Sequence, residues 1–210
     1  MGDKNIDARD YYEKLLVHLQ RFSTISREGV EQLIPYLEIR QFDKKKKLVS
    51  EGEMEDYLNV VVKGLVRKYV TSSIKGEVTL QLATEGHFIQ SEISFHHRVP
   101  SEVVIQTLEP TVLVSMHYER MQNAMDKVPE AEALGRTIIM QMFIKKDARY
   151  FDQLKISTRD RFLEYMNNHP HMLQRVPQKI LASYLNIKPE TFSRLKHLLL
   201  HKPQNPLKGA

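Results

Sequence analysis

Residues 39–116 constrain the fold of this 210-residue chain more than any other part. Short runs of β-branched residues alternate there with turn residues, at 48–49, 57–62, 65–70, 78–82, 103–107 and 112–116. Four glycines recur at intervals of roughly one strand plus one turn: Gly52, Gly64, Gly76 and Gly86. This spacing is typical of an antiparallel sandwich or barrel. The lysine run at 44–47 is interpreted as a solvated turn between strands.

Helical periodicity flanks this β-rich part on both sides. Residues 10–37 show apolar residues at helical spacing and predict short helices. Residues 118–127 predict another short helix, and residues 130–154 a long one. The first half of the long helix is more apolar than a single surface helix needs, with Leu134, Ile138, Ile139, Met142, Phe143 and Ile144. We expect it to pack on the β-rich part and on the same helix of a second copy. The alternative is packing inside one monomer.

Composition excludes several function classes. The chain has no cysteine, which excludes disulfides, cysteine nucleophiles and thiolate-held iron–sulfur or haem groups. It has no phosphate-binding loop of the Walker type and no nucleophile elbow. We therefore expect no catalytic residue, no metal site and no enzyme activity. The sequence also contains no secretory leader or membrane-spanning run, so we expect a cytoplasmic protein without membrane contact.

The basic charge is concentrated at the C-terminal end. Between Tyr150 and Ala210 stand ten Lys or Arg and four Asp or Glu, a net charge of +6, whereas the whole chain carries +5. A polyanionic partner for this segment is the simplest functional interpretation. A basic surface without a partner is the alternative that charge alone leaves open.

The pattern from Val176 to Leu200 indicates a helix-turn-helix within that basic segment. Pro177 and Pro189 each suit the start of a helix, because proline needs no backbone partner there. Asn186 stands where the chain must turn sharply, and asparagine tolerates a positive φ. The predicted inner positions are Ile180, Leu181, Ala182, Leu185, Ile187, Phe192, Leu195 and Leu199.

Polar residues on the outer side of this pattern suit contact with double-stranded DNA. Arginine can form a bidentate pair with guanine, glutamate accepts from cytosine, and lysine binds phosphate. The candidate DNA-binding residues are Pro177, Gln178, Lys179, Lys188, Glu190, Thr191, Ser193, Arg194, Lys196 and His197. An ordinary helical hairpin with a basic face is the competing interpretation.

These residues resemble the winged helix-turn-helix of the Crp/Fnr (catabolite activator) family. The matching positions are Pro177, Ile180, Ala182, Leu185, Ile187, Glu190, Thr191, Ser193 and Arg194. Upstream, Tyr57-x-x-x-Val61-x-Lys63-Gly64 and Glu85-Gly86-His87-Phe88-Ile89 are similar to the strand and turn patterns of that family.

The resemblance implies an α+β fold in three parts. Residues 1–128 would form a sensor-like antiparallel β-roll with N-terminal helices, of the cyclic-nucleotide-binding, jelly-roll type. Residues 129–155 would form a long dimerisation helix, and residues 156–210 the DNA-binding domain. The resemblance further implies a homodimer on a near-palindromic site and contact with RNA polymerase.

The ligand cassette departs from the family pattern. Members that bind a cyclic nucleotide carry a Gly-Glu pair and then an Arg-Ser/Thr pair, but the position before Ser101 is Pro100. The residues that the resemblance places at an effector site are Glu92, Arg98, Ser101, Lys146 and Asp147. Without the arginine a buried phosphate would be poorly compensated. The sequence therefore argues against a cyclic nucleotide, and we expect another small-molecule effector or none.

The function expected from the sequence is a sequence-specific DNA-binding transcription regulator. The alternative is a small-molecule binding, cyclic-nucleotide-like signalling module whose C-terminal helices serve protein interaction. The charged outer face of the second helix distinguishes the two.

Overall fold

The computed structural model describes residues 8–21 and 23–200, and the chain divides after Ala148 into two compact units. Helices of the first unit are α1 (Ala8–Leu19), α2 (Arg27–Leu33), α3 (Glu92–His97) and α4 (Tyr118–Lys127), with a 3-10 turn at Ile34–Tyr36. The long helix α5 (Ala131–Lys155) begins in the first unit and ends in the second. The second unit also contains α6 (Thr158–Asn168), α7 (Met172–Arg175), α8 (Gln178–Tyr184) and α9 (Pro189–Leu200).

Eight strands form the roll that the glycine spacing predicts. They are β1 (Leu37–Phe42), β2 (Lys47–Val49), β3 (Tyr57–Lys63), β4 (Val66–Ser72), β5 (Gly76–Ala83), β6 (Phe88–Ile89), β7 (Val104–Thr107) and β8 (Thr111–His117). The strands pair antiparallel in two four-stranded sheets, in the orders β1-β8-β3-β6 and β2-β7-β4-β5. The expected antiparallel sandwich is therefore confirmed. The short helix α3 was not anticipated from the sequence.

One cluster of small and branched apolar residues fills the interior of the roll. Its members are Val49, Val61, Val66, Ala83, Ile89, Ile105 and Leu113. They come from both sheets, as alternation along the strands requires. The lysines at 44–47 are exposed, and Lys45 adopts a φ of 67° in the turn before β2. The interpretation of this run as a solvated turn is confirmed for residues 44–46, whereas Lys47 begins β2.

A second core lies where helices cover the outer face of the β1-β8-β3 sheet. Val60, Val62 and Val114 pack there with apolar residues of α1, α2 and α4. Leu134 and Ile138 of α5 join this core and are 8% and 6% exposed. The next turns of α5 are different, because Ile139, Met140, Phe143 and Ile144 are exposed. The apolar half of the long helix therefore has a face toward the roll and a face toward solvent.

The second unit packs around an aromatic pair. The rings of Phe162 and Phe192 meet edge to face, with centroids 5.1 Å apart, and both side chains are fully buried. Met166, Met172, Val176, Leu181, Ala182 and Leu185 complete this core. Residues 149–200 contain helices and no strand, so the wing of a winged helix-turn-helix has no counterpart among them. The last ten residues of the predicted DNA-binding domain, 201–210, lie outside the described part.

Candidate DNA-binding surface and effector site

A helix C-cap turn joins α8 to α9. Asn186 adopts a φ of 54°, as its position after Leu185 predicted. The amide of Ile187 donates to the carbonyl oxygen of Ala182, and the amide of Asn186 donates to that of Ser183, both across 3.0 Å. This pair of hydrogen bonds defines a Schellman motif with Asn186 in the left-handed position. It turns the chain sharply enough for Pro189 to begin α9 only four residues after Leu185.

The turn places a polar stripe of α9 toward solvent. Glu190, Ser193, Arg194 and His197 are all exposed, and their spacing of three and four residues puts them on one face. Phe192 on the opposite side is fully buried, whereas Leu195 and Leu199 are partly buried. Of the other candidate DNA-binding residues, Thr191 is partly buried and Pro177, Gln178, Lys179, Lys188 and Lys196 are exposed.

The end of α5 is fastened to the helix-turn-helix inside the second unit. The Arg149 guanidinium donates to the carbonyl oxygen of Tyr184, the last residue of α8. It also lies over the Tyr184 ring, 3.8 Å from the centroid. The ring of Tyr165 on α6 stands 5.4 Å from that of Tyr184. These contacts connect α5, α6 and α8.

An ion pair occupies the region of the predicted effector site. The Lys68 ammonium on β4 lies 2.8 Å from each carboxylate oxygen of Glu92, the first residue of α3. It also donates to the carbonyl oxygen of Gln90 at 3.0 Å. The Lys146 ammonium on α5 lies 3.7 Å from the same Glu92 carboxylate. Two of the predicted effector residues, Glu92 and Lys146, are thus brought together.

Burial and the ion pair act in opposite directions on the pKa values of Glu92 and Lys68. Burial raises the pKa of Glu92, but the charge and hydrogen bonding of Lys68, a backbone hydrogen bond and the charge of Lys146 together lower this pKa below its usual range. Burial lowers the pKa of Lys68, against the attraction of Glu92. The Lys68 side chain is only 4% exposed, so its ammonium depends on this one carboxylate and one carbonyl for solvation.

The other predicted effector residues are used differently. Ser101 is buried, and its hydroxyl oxygen lies 2.9 Å from that of Ser91 and 2.8 Å from the Val103 carbonyl oxygen. Arg98 caps the far end of α3 with a φ of 54°. Its guanidinium donates to the Glu55 carbonyl oxygen at 2.8 Å and to Asp56 at 2.5 Å. Asp147 is exposed on α5.

Two buried charged groups at this site, Lys68 and Glu55, were not predicted from the sequence. Lys68 stands two residues after Val66 on the same strand, so it shares the inward face of that core residue. A lysine at an inward-facing position of a strand is the sequence feature from which a buried ion pair could have been predicted. The Glu55 carboxyl, 3% exposed as a residue, accepts from the amides of Tyr57 and Ser91. Burial raises its pKa to about 7, although both amides act in the opposite direction.

Comparison with known proteins agrees with this architecture. Residues 39–128 match the cyclic nucleotide-binding domain family. No curated protein sequence matches the chain.

Solved structures share the fold beyond the cyclic nucleotide-binding domain. The c-di-GMP responsive global regulator CLP of Xanthomonas campestris is 18% identical, with a TM-score of 0.64 over 83% of this chain and 92% of that one. FixK2 of Bradyrhizobium japonicum is 17% identical, with a TM-score of 0.64 over 83% and 89%. The catabolite activator protein of Thermus thermophilus is 20% identical, with a TM-score of 0.55 over 87% and 86%. The expected Crp/Fnr-type fold is thereby confirmed.

No helix within 8–21 or 23–200 is both long and apolar enough to cross a membrane. The same residues contain no group of three or more His, Asp or Glu side chains placed to hold a metal ion.

Proposed function

We propose that this chain is a sequence-specific DNA-binding transcription regulator of the Crp/Fnr type, working in the cytoplasm. The observation that carries the proposal is the polar stripe of α9, formed by Glu190, Ser193, Arg194 and His197. The stripe projects from a well-packed helix-turn-helix core. It lies in a C-terminal segment with a net charge of +6. A rigid helix with basic and hydrogen-bonding side chains suits the major groove of DNA.

Each group of the stripe has a chemical role in this proposal. Arg194 offers a bidentate fork to a guanine, and Glu190 accepts from a cytosine amino group. Ser193 and Thr191 contact bases or phosphates. Lys179 and Lys188, exposed near the starts of α8 and α9, bind phosphates and fix the orientation of the reader.

The proposal includes a homodimer built on α5. Ile139, Met140, Phe143 and Ile144 expose between 49% and 67% of their surface, although all four are large apolar residues. Such a patch on a helix marks an interaction surface. The same helix from a second copy would cover it and give a two-fold axis. Two recognition helices related by that axis would read a near-palindrome with half-sites one helical turn apart.

Each of the three parts of the chain has its own role in this proposal. We assign the effector-type role to residues 1–128, dimerisation to residues 129–155 and DNA binding to residues 156–210. Contact with RNA polymerase follows from the family resemblance and belongs to the same proposal. The polar groups that a ligand would meet in the roll are Glu92, Lys68 and Ser101. All three already have partners inside the protein.

Selection from random DNA tests this function without knowledge of the target. The full chain is incubated with a pool of random duplexes, and bound DNA is recovered and sequenced over several rounds. We expect an inverted repeat whose centres lie about one helical turn apart, and affinity for it that falls steeply with salt. Recovery of no common sequence would contradict the proposal and favour a signalling module with protein partners.

A further inference from the structure

Glu92 is shared by two lysines from different parts of the first unit. Lys68 comes from β4 in the roll, and Lys146 comes from the exposed part of α5. Glu92 itself begins α3, next to the end of β6. The carboxylate therefore connects the sheet, the short helix and the long helix at one point.

The Lys68 end of this connection is built into the interior. Val66 and Ile105 are core residues of the roll, and Lys68 pairs with Ile105 across the ladder. An ammonium in that position needs a counter-charge and hydrogen-bond acceptors. It has three acceptor atoms, which are both oxygens of Glu92 and the carbonyl oxygen of Gln90. These bonds fix where the Glu92 carboxylate lies.

The remaining side of the Glu92 carboxylate faces α5. Lys146 is 69% exposed and reaches the carboxylate at 3.7 Å. We infer that the Lys68–Glu92 pair is a built-in substitute for an effector, which presents a fixed carboxylate to Lys146 and holds α5 against the roll without a ligand. Of the three charged residues, Lys146 can leave the contact most easily, because its ammonium remains in contact with water.

The same arrangement leaves little for an anionic ligand to bind. A phosphate entering beside α3 would have to separate Lys68 from Glu92 and lie near the second buried carboxyl, Glu55. Arg98 is bound to Asp56 and stacked on Tyr118, 4.3 Å from the ring centroid. If the proposed DNA-binding function holds, on which this consequence rests, DNA affinity of the full chain is independent of cyclic nucleotides.

A spin-label distance tests the contact directly. The chain has no cysteine, so Glu102→Cys and Ala148→Cys place labels on exposed positions of the roll and of α5. Pulsed electron paramagnetic resonance spectroscopy then gives the distribution of the distance between the two labels. Labelled protein is mixed with excess unlabelled protein, so that only distances within one chain contribute. The parent is compared with Lys146→Ala, Glu92→Gln and the matched control Lys145→Ala, which removes the same charge one residue away.

We expect one narrow distance in the parent and in Lys145→Ala, and at least a doubling of the width in Lys146→Ala and Glu92→Gln. Addition of cAMP, cGMP or cyclic di-GMP should leave the parent unchanged. The inference is overturned if the distance distribution of the parent is broad, or if that of Lys146→Ala is as narrow as that of Lys145→Ala. It is also overturned if a nucleotide narrows or shifts the distance distribution of the parent. Lys146→Ala keeps the test decisive even where Glu92→Gln, which leaves Lys68 buried, fails to fold.

DNA binding of the unlabelled parent is measured separately by fluorescence anisotropy. Absence of specific binding would contradict the proposed function, while the label distances still judge the contact of Glu92 with Lys146. The two failures are therefore distinguishable.

Discussion

The amide of Ile187 donates to the carbonyl oxygen of Ala182 across 3.0 Å, and this bond closes the turn between α8 and α9. Ala182 is fully buried and Ile187 is partly buried, so the bond joins the core to the turn that precedes α9. The residue between them that makes the bond possible is Asn186, with its φ of 54°. The direction in which α9 leaves the core depends on this turn.

Asn186→Ala should lower the free energy of unfolding by about 1 kcal/mol, because alanine lacks the short polar side chain with which asparagine stabilises a positive φ. Asn186→Gly should change it by only a few tenths of a kcal/mol, since glycine adopts this conformation without strain. Urea denaturation of the full chain, followed by circular dichroism, measures both. An alanine variant as stable as the glycine variant would show that the positive φ does not limit the turn.

Glu55 gives the fold a defined pH dependence. Burial raises the pKa of its carboxyl from 4.5 to about 7 in the folded chain. The folded state therefore holds a proton that the unfolded state has released, and the free energy of unfolding should fall as the pH rises from about 4.5 through 7. The loss is limited to about 3 kcal/mol by the difference between the two pKa values.

Glu55→Gln isolates this contribution, because it keeps the shape of the side chain and cannot ionise. Between pH 5 and pH 8 the unfolding free energy of the wild type should fall relative to that of Glu55→Gln. Urea titrations at a series of pH values measure that difference. A difference that stays constant over this range would mean that the Glu55 carboxyl has an ordinary pKa.

Gly64, in the turn between β3 and β4, allows close approach of the backbone at the start of β8. Its φ is 101°, and a Cβ there would lie 2.6 Å from the carbonyl oxygen of Pro110 and 2.9 Å from Thr111 Cα. Gly64→Ala should cost more than about 2 kcal/mol of unfolding free energy, since backbone atoms must move. Gly52→Ala is the matched control, with a φ of 86° and open space around its Cβ, and should cost about 1 kcal/mol. Equal losses in thermal or urea unfolding would contradict the steric explanation.

Phe143 should be central to the proposed dimer. It is 67% exposed in one chain, the highest exposure among the large apolar residues of α5. Phe143→Glu should turn the dimer into a monomer at micromolar concentration, because two carboxylates would be buried together in the seam. Lys145→Glu, on the same helix, should leave the dimer intact. Sedimentation equilibrium distinguishes the species, and a dimeric Phe143→Glu variant would place the interface elsewhere.

Residues whose role follows from local pattern were predictable from the sequence. Runs of β-branched residues and the glycine spacing predicted six of the eight strands described, but not β1 or β6. The position after Leu185 predicted the positive φ of Asn186. Helical spacing predicted both the buried Leu134 and the excess of apolar surface on α5, because periodicity reports which faces exist. It does not report what covers each face.

The effector region could be predicted only in part, because its contacts join residues distant in sequence. The Lys68 and Glu92 side chains lie 24 positions apart, and no periodicity relates them. Arg98 was predicted at the effector site, but it has a left-handed backbone and its guanidinium donates to Glu55 and Asp56. The partly buried Leu195 and Leu199 differ from the buried stripe expected on α9, since α9 packs mainly through Phe192.

The most direct test of the central claim is the specific DNA affinity of Arg194→Ala beside Arg159→Ala. Both residues are exposed arginines of the second unit, on α9 and α6 respectively. Fluorescence anisotropy measures each variant on the selected inverted repeat and on a scrambled duplex. Loss of a guanine contact should weaken specific binding by about 1–3 kcal/mol and leave binding to the scrambled duplex nearly unchanged. Arg159→Ala should keep the wild-type ratio of specific to scrambled-duplex affinity. Recognition of DNA through α9 would be contradicted if both variants lost this ratio equally, or if Arg194→Ala kept it.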